Sequence, residues 1–379
     1  MCIRDRYKEE QVFVELPEAL VEEMLAKCES VGELLYKTFK EIDENKETIR
    51  NRLLNRKILR REGEVSYPNI PTTCGVDGSY AVERLLSVDF VACAAVAIEG
   101  LTPPSEKRHW EKPHHRVFIA PEKHNPYSGS IIRGLMMEME IELAVKAPHD
   151  VVFLDGSLTT PLIYLNQCVN KILEMNEETN MSREVFNKFN DFLTHYRTIL
   201  EAYRSDKIWA GIPKYTTKRE LGEMLAWPSN YDDRAILTTV LFPGEFTTPV
   251  PVTPPSQPWH LKLPSGEVME DFDSKLKSIY VMYYKPHKWT PALRIEISSS
   301  IATNEARIAI LLQAIKYQCG SPEIFEPYPL YIADRMVKHL AKAIPALRQA
   351  ATKKMTEKHQ GDIGEIFFNM HGYRTESGR

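Results

Sequence analysis

Two copies of one short pattern carry chemistry: Val76-Asp77-Gly78-Ser79 and Leu154-Asp155-Gly156-Ser157. Each follows an apolar, β-prone stretch and reads as an aspartate ending a strand. In an open sheet the carboxyl ends of strands form the rim where ligands bind, and glycine there lets a phosphate or another backbone approach closely. One Asp-Gly-Ser is an ordinary turn. Two copies, one on either side of a glutamate-rich helix, are more specific.

That helix, expected over Gly129 to Ala147, carries Glu138, Glu140 and Glu142. At about 100° per residue, Ile132, Leu135, Met136, Met139, Leu143 and Ala147 define a buried stripe. Glu140 lies closest to its centre, Glu142 next, and Glu138 well outside. A carboxylate at the edge of a buried stripe needs a partner or a cation, because burying an unpaired charge is costly. Glu140 is the candidate ligand; the alternative is that all three form a solvated face. Asp77, Glu140 and Asp155, with a late acidic or histidine ligand, make a hard-oxygen set suited to Mn²⁺ or Mg²⁺. Two such ions about 4 Å apart can activate a water and stabilise the leaving oxygen of a phosphodiester.

The elements that must position these carboxylates follow from periodicity. The chain predicts strands at Thr73–Asp77, Leu86–Ile98 and Arg116–Ala120, the glutamate helix, and a buried strand at His149–Asp155, an order of β-β-β-α-β. Helices at Pro161–Met175 and Ser182–Tyr203 precede a strand at Ile208–Pro213 and a helix at Asp233–Leu241. A proline-rich excursion, Pro243–Pro264, leads to a hairpin of Ser278–Tyr284 and Ala292–Ile297, then helices at Asn304–Gln318 and Tyr328–Ala343. Ahead of the core, Leu20, Met24, Cys28, Val31, Leu35 and Phe39 mark an amphipathic helix over Val14–Phe39. A second, basic helical run over Lys46–Arg61 suggests an antiparallel helical pair that packs or dimerises. The expected organisation is a helical arm at 1–66, an α/β domain at 67–346, and a polar tail at 347–379, loosely ordered after Lys353.

Bulk properties narrow the setting. With 43% hydrophobic and 26% charged residues among 379, and no uncharged apolar run of about 18 residues, the chain reads as globular with no membrane span. Met1 to Arg6 lacks the features of a secretory leader. Six cysteines scattered without a CxxC pair exclude a zinc knuckle and a disulfide framework and fit a cytoplasmic setting. His109, His114 and His115 lie in a proline-rich loop without zinc-ligand spacing. A net charge of −4 offers nucleic acid no global attraction, so binding must come from a local groove, a bound metal or a partner.

Over roughly Thr72 to Ile344 the chain resembles the NurA nucleases. The resemblance rests on Val76–Ser79, the glutamate helix before Asp150-Val-Val-Phe-Leu-Asp-Gly-Ser-Leu158, and Ile212-Pro-Lys214. It continues through Asp233, Leu241-Phe-Pro-Gly-Glu245, Leu293-Arg-Ile-Glu296 and Pro327-Tyr-Pro-Leu-Tyr-Ile-Ala-Asp334. It implies a ribonuclease-H-like mixed sheet flanked by helices. It also implies a Mn²⁺-dependent DNA nuclease, a 5′–3′ exonuclease and single-strand endonuclease, working as a homodimer with the HerA hexameric ATPase in double-strand-break end resection. Where many members carry Ala-His, this chain has Ala333-Asp334, which makes Asp334 the late ligand and puts metal preference in question.

Lys214, Arg234 and Arg294 are candidates for holding phosphate oxygens, each also readable as a salt-bridge partner, for example Arg294 with a neighbouring carboxylate. Tyr328 is a candidate for stacking on a base or sugar, or else a core tyrosine. Two other readings stay open: a degenerate nuclease fold acting as an adaptor on a DNA translocase, and a ribonuclease-H-like enzyme acting on RNA.

Overall fold

The computed structural model describes residues 16–175, 177–227, 231–255 and 257–378, with side chains to residue 372. The expectations for Met1–Arg6 and for a helix start at Val14 fall outside the described residues. In chain order the elements are α1 (Glu18–Asn55), β1 (Leu59–Arg61), β2 (Thr73–Leu85), β3 (Asp89–Glu99), β4 (His114–Glu122), α2 (Ser128–Lys146) and β5 (Val151–Asp155). Next come α3 (Thr160–Met175), α4 (Asn180–Glu201), β6 (Ile208–Ile212), α5 (Glu220–Met224), α6 (Asp233–Val240), β7 (Glu245–Thr247), β8 (Val250–Pro251), β9 (Leu261–Lys262) and β10 (Val268–Met269). The chain closes with α7 (Asp271–Lys277), β11 (Ile279–Lys285), β12 (Leu293–Ser298), α8 (Ser299–Ala302), α9 (Glu305–Gln318), α10 (Tyr328–Lys358), α11 (Ile363–Asn369) and β13 (Gly372–Gly378).

One mixed sheet runs β1-β7-β11-β12-β6-β5-β2-β3-β4, with β13 beside β2 and β8 beside β11. β2, β5 and β6 are mutually parallel neighbours, and the remaining pairs are antiparallel. This is the expected α/β architecture, a ribonuclease-H-like mixed sheet flanked by helices. The central strands β5 and β6 are buried along nearly their whole length, as strands covered on both faces must be. Helix α2 packs against β2, β3, α3 and α4. Among the described residues no helix is long and apolar enough to cross a membrane.

Four expectations need correction. The first concerns β2, which does not end at Asp77 but continues to Leu85, with Gly78 paired to Ala95 of β3. The first Asp-Gly-Ser is therefore extended strand, while the second is a true turn in which Gly156 takes φ +107°, a region that favours glycine.

The amino-terminal arm is likewise one continuous helix rather than an antiparallel pair. Its 38 residues contain no proline to break them, and at 1.5 Å per residue they span about 57 Å. Its carboxyl-terminal part buries Ile42, Ile49 and Leu53, and Arg50 donates to both Glu245 carboxylate oxygens at 2.8 and 2.9 Å. Upstream, Leu20, Met24, Leu35 and Phe39 stay exposed.

The segment Pro243–Pro264 is only partly an excursion, because β7 inserts between β1 and β11. The tail is not loose either. Helix α10 runs on to Lys358, and β13 adds to the edge of β2, Gly372 opposite Leu85 and Gly378 opposite Tyr80.

Candidate metal centre

The sheet forks at the site. Along one edge, β2 pairs with β5 from Thr73–Val151 to Val76–Leu154, and further on that same strand pairs with β13 from Tyr80 onward. In the gap, Asp77 is the next residue after Val76, and Asp155 the next after Leu154. Parallel register thus brings the two aspartates side by side. Asp334, in the second turn of α10, completes the group: one carboxylate oxygen from each of Asp77, Asp155 and Asp334 lies within 4.8 Å of the others. Asp77 is 1% exposed, and the Asp155 side chain is fully shielded. Hard carboxylate donors this close and this buried fit a divalent cation, since their mutual repulsion must be offset.

Glycine sets the spacing from α2. A Cβ on Gly78 would sit 2.5 Å from Oε1 of Glu140 and 2.8 Å from Cγ of Met136. The Glu140 carboxylate therefore lies over Gly78, the residue after Asp77, and Glu140 and Asp77 line one cavity of about 210 Å³ with Asp155, Tyr164 and Lys214. A comparable close approach occurs at Gly75, where a Cβ would meet the Pro329–Leu330 backbone at 2.5 Å, so α10 can start directly against β2.

The other two glutamates of α2 are also buried, against the reading that Glu138 lies well outside the stripe. The period assumed one covered face, whereas sheet, α3 and α4 enclose this helix on several sides. Glu142 pairs with Arg116 at 3.0 Å and with Lys146. Burial raises the Glu142 pKa, but the Lys146 hydrogen bond and the Arg116 charge outweigh it and hold the group below its usual value. Burial, helped by the Glu142 charge, pushes Glu138 up to about 7. Neither lines the carboxylate cavity.

Lys214 enters the site from the loop after β6. Its Nζ lies 2.8 Å from Asp155 Oδ2, 3.1 Å from Asp334 Oδ1 and 3.2 Å from Glu326 Oε2. Glu326, just ahead of α10, is a site member that sequence reading missed. Burial raises its pKa, Lys214 opposes that, and Asp334 and Asp77 add to it. The only signal was an acidic residue abutting the Pro327-Tyr328-Pro329 helix start. Lys338, one turn along α10, donates to Asp334 at 2.7 Å.

The other basic candidates fall differently. Arg234 donates to the Lys214 backbone oxygen and, at 3.1 Å, to the Ala292 oxygen, so it fixes the loop that carries Lys214. Arg294 is 1% exposed, donates to both Glu220 oxygens at 2.7 and 2.8 Å, and adds bonds to Tyr283 at 2.8 Å and Glu296 at 3.0 Å. Its fork is already satisfied, which corrects the phosphate-holding expectation in favour of a buried ion pair. Glu296 in turn accepts from Ser157 Oγ at 2.6 Å and Leu158 N at 2.9 Å, bracing the turn after Asp155. Tyr328 lines a separate groove of about 490 Å³ with Tyr67, Leu101 and Tyr317, not the carboxylate cavity.

Comparison with known proteins identifies the family and the fold. The NurA domain matches residues 71–339. The fold is similar to the NurA nuclease from Sulfolobus solfataricus at 15% identity and TM-score 0.58, covering 89% of this chain and 98% of that one. It is also similar to a NurA bound to dAMP and manganese, at 14% identity and TM-score 0.51, covering 84% and 97% of the two chains. No curated protein matches the chain significantly.

Proposed function

Because the chain belongs to the NurA domain family, we propose that it is a manganese-dependent deoxyribonuclease whose metal is held by Asp77, Glu140, Asp155 and Asp334. The observation that carries the reading is the buried meeting of Asp77, Asp155 and Asp334 oxygens within 4.8 Å at the strand fork. A similar fold is found in a NurA bound to dAMP and manganese. Held by these carboxylates, Mn²⁺ would supply Lewis-acid polarisation of a phosphoryl oxygen and a bound water acidic enough to attack at neutral pH.

The chain's own residues do the rest by positioning. Asp77 is locked in the interior of β2 and Asp155 at the end of β5, so neither depends on a mobile loop for its placement. Lys214 offsets the crowded negative charge and stands where an ammonium can meet a phosphate oxygen. Arg234 anchors it through the backbone. The donor set of this chain is all oxygen, with Asp334 where many family members have histidine, so Mg²⁺ should serve as well as Mn²⁺.

At a finer level the reading is a 5′–3′ exonuclease and single-strand endonuclease, dimeric, working with a HerA-type hexameric ATPase on broken DNA ends. The exposed apolar residues of α1 (Leu20, Met24, Leu35, Phe39) offer the dimer a contact face.

The test is cleavage of labelled DNA and RNA oligonucleotides of identical sequence with Mn²⁺ or with EDTA. Mn²⁺-dependent cutting of DNA, lost in Asp155→Ala, is the expected result. An inert parent protein would favour the adaptor reading, and cutting confined to RNA would favour the ribonuclease.

A further inference from the structure

We propose that Arg133 of α2 is a phosphate-holding residue, which takes an oxygen of a phosphate flanking the one being cut. The inference rests on the nuclease reading and adds to it a second phosphate contact at the margin of the metal centre.

Arg133 stands seven residues before Glu140 on α2. Seven residues are close to two full turns, so both side chains leave one face of the helix, about 10.5 Å apart along its axis. Met136 and Met137, which line the carboxylate cavity with Glu140, fill the turn between them. Helix side chains lean toward the amino terminus, which carries Arg133 outward from the ligands and not among them.

The surroundings fix the guanidinium without neutralising it. Its Cζ lies 4.8 Å from the ring centroid of Tyr164, a residue of the cavity wall, and 5.6 Å from that of Tyr80, three residues after Asp77. Nη2 donates to the Tyr80 hydroxyl at 3.1 Å, while Nε is buried and meets no acceptor among the described residues. Among those residues no carboxylate pairs with Arg133, whereas Arg50, Arg116 and Arg294 each face one. A half-buried cation without an anion is costly. The two aromatic faces offset part of that cost. A phosphate oxygen offsets the remainder, because the guanidinium fork matches it in charge and shape.

The first measurement is fluorescence anisotropy of a labelled oligodeoxythymidine in EDTA over a range of salt. Arg133→Gln should weaken binding roughly 10- to 100-fold and flatten the slope of log K against log salt by about 0.7, the share of one phosphate on a single strand. Arg133→Lys, which keeps the charge, should keep the slope. With Mn²⁺, Arg133→Gln should raise KM by a similar factor and leave kcat nearly unchanged, as for a contact made equally in ground and transition states. A neutral methylphosphonate placed in turn at each position flanking the cut should cost the parent that factor at one position, and cost Arg133→Gln nothing more there.

Parent-like affinity and slope in Arg133→Gln, or a loss confined to kcat, would overturn the proposal. So would a methylphosphonate penalty equal in parent and variant at every position. A parent that tolerates the methylphosphonate at all flanking positions would overturn it whatever Arg133→Gln does to folding. If the parent cuts DNA with Mn²⁺ while these tests fail, the nuclease reading survives. If it cuts nothing, that reading falls, and the binding measurement in EDTA still decides the phosphate contact.

Discussion

Asp77 and Asp155 stand side by side because each follows the last paired position of two parallel strands, Val76 of β2 opposite Leu154 of β5. Beyond that point β5 ends, while β2 continues to Leu85 and takes β13 as its neighbour. The carboxylates occupy the fork, where the ladder no longer occupies the space between strands.

Replacing either aspartate should separate activity from stability. Asp77→Ala or Asp155→Ala is expected to lower Mn²⁺-dependent cleavage by more than about 100-fold, because removing a ligand misplaces the ion. Melting temperature should hold or rise as carboxylate repulsion is relieved. Cleavage rates paired with thermal melts check this, and a fully active Asp155→Ala would refute it.

Gly78→Ala probes the glutamate of α2 without replacing it. The new methyl group would lie 2.5 Å from Glu140 Oε1 and 2.8 Å from Cγ of the buried Met136, so the carboxylate must yield and the Met136 side chain must shift with it. Weakened Mn²⁺ binding by calorimetry, beside a loss of stability from the displaced Met136, is the expected outcome. Parent-like Mn²⁺ affinity would remove Glu140 from the ligand set.

Arg294 should behave as a structural residue. Truncation to Ala leaves Glu220, 6% exposed, without its bidentate partner, and breaking a buried pair costs roughly 3–5 kcal/mol. Urea unfolding should show that loss. A stable Arg294→Ala with reduced DNA affinity would instead restore the phosphate-holding role.

Acid should loosen the loop between β3 and β4. His149 is fully buried against the rings of His109 and Trp110, its Nε2 is 3.8 Å from Glu99, and Lys207 lies nearby. Burial lowers its pKa from 6.5 to about 4, with Glu99 opposing. A depressed folded-state pKa contributes stability above 6.5 that is lost as pH falls through about 4, roughly 3 kcal/mol in all. His149→Phe should flatten the fall in melting temperature over that window, and an unchanged slope would contradict the assignment.

How much of this was legible in the sequence depended on whether the signal was local. Strand β5, helix α2 and the turn at Gly156 follow from short-range pattern. Gly78 misled because Asp-Gly-Ser has the same composition in a turn and in a strand that needs glycine for a neighbour's carboxylate. Glu326 was invisible because its proximity to Lys214 arises from packing residues more than a hundred positions apart. The satisfied fork of Arg294 depends on Glu220, 74 positions away along the chain. The β13 strand carries little hydrophobic pattern, and its place is set by the free edge of β2.

The most direct test is manganese anomalous scattering from a crystal grown with Mn²⁺. The account predicts a peak bound by Asp77 and Asp155, with ligand distances of roughly 2.0–2.6 Å as for hard oxygen sites. A protein that cleaves DNA with manganese located elsewhere, or with these two carboxylates uncoordinated, would contradict it.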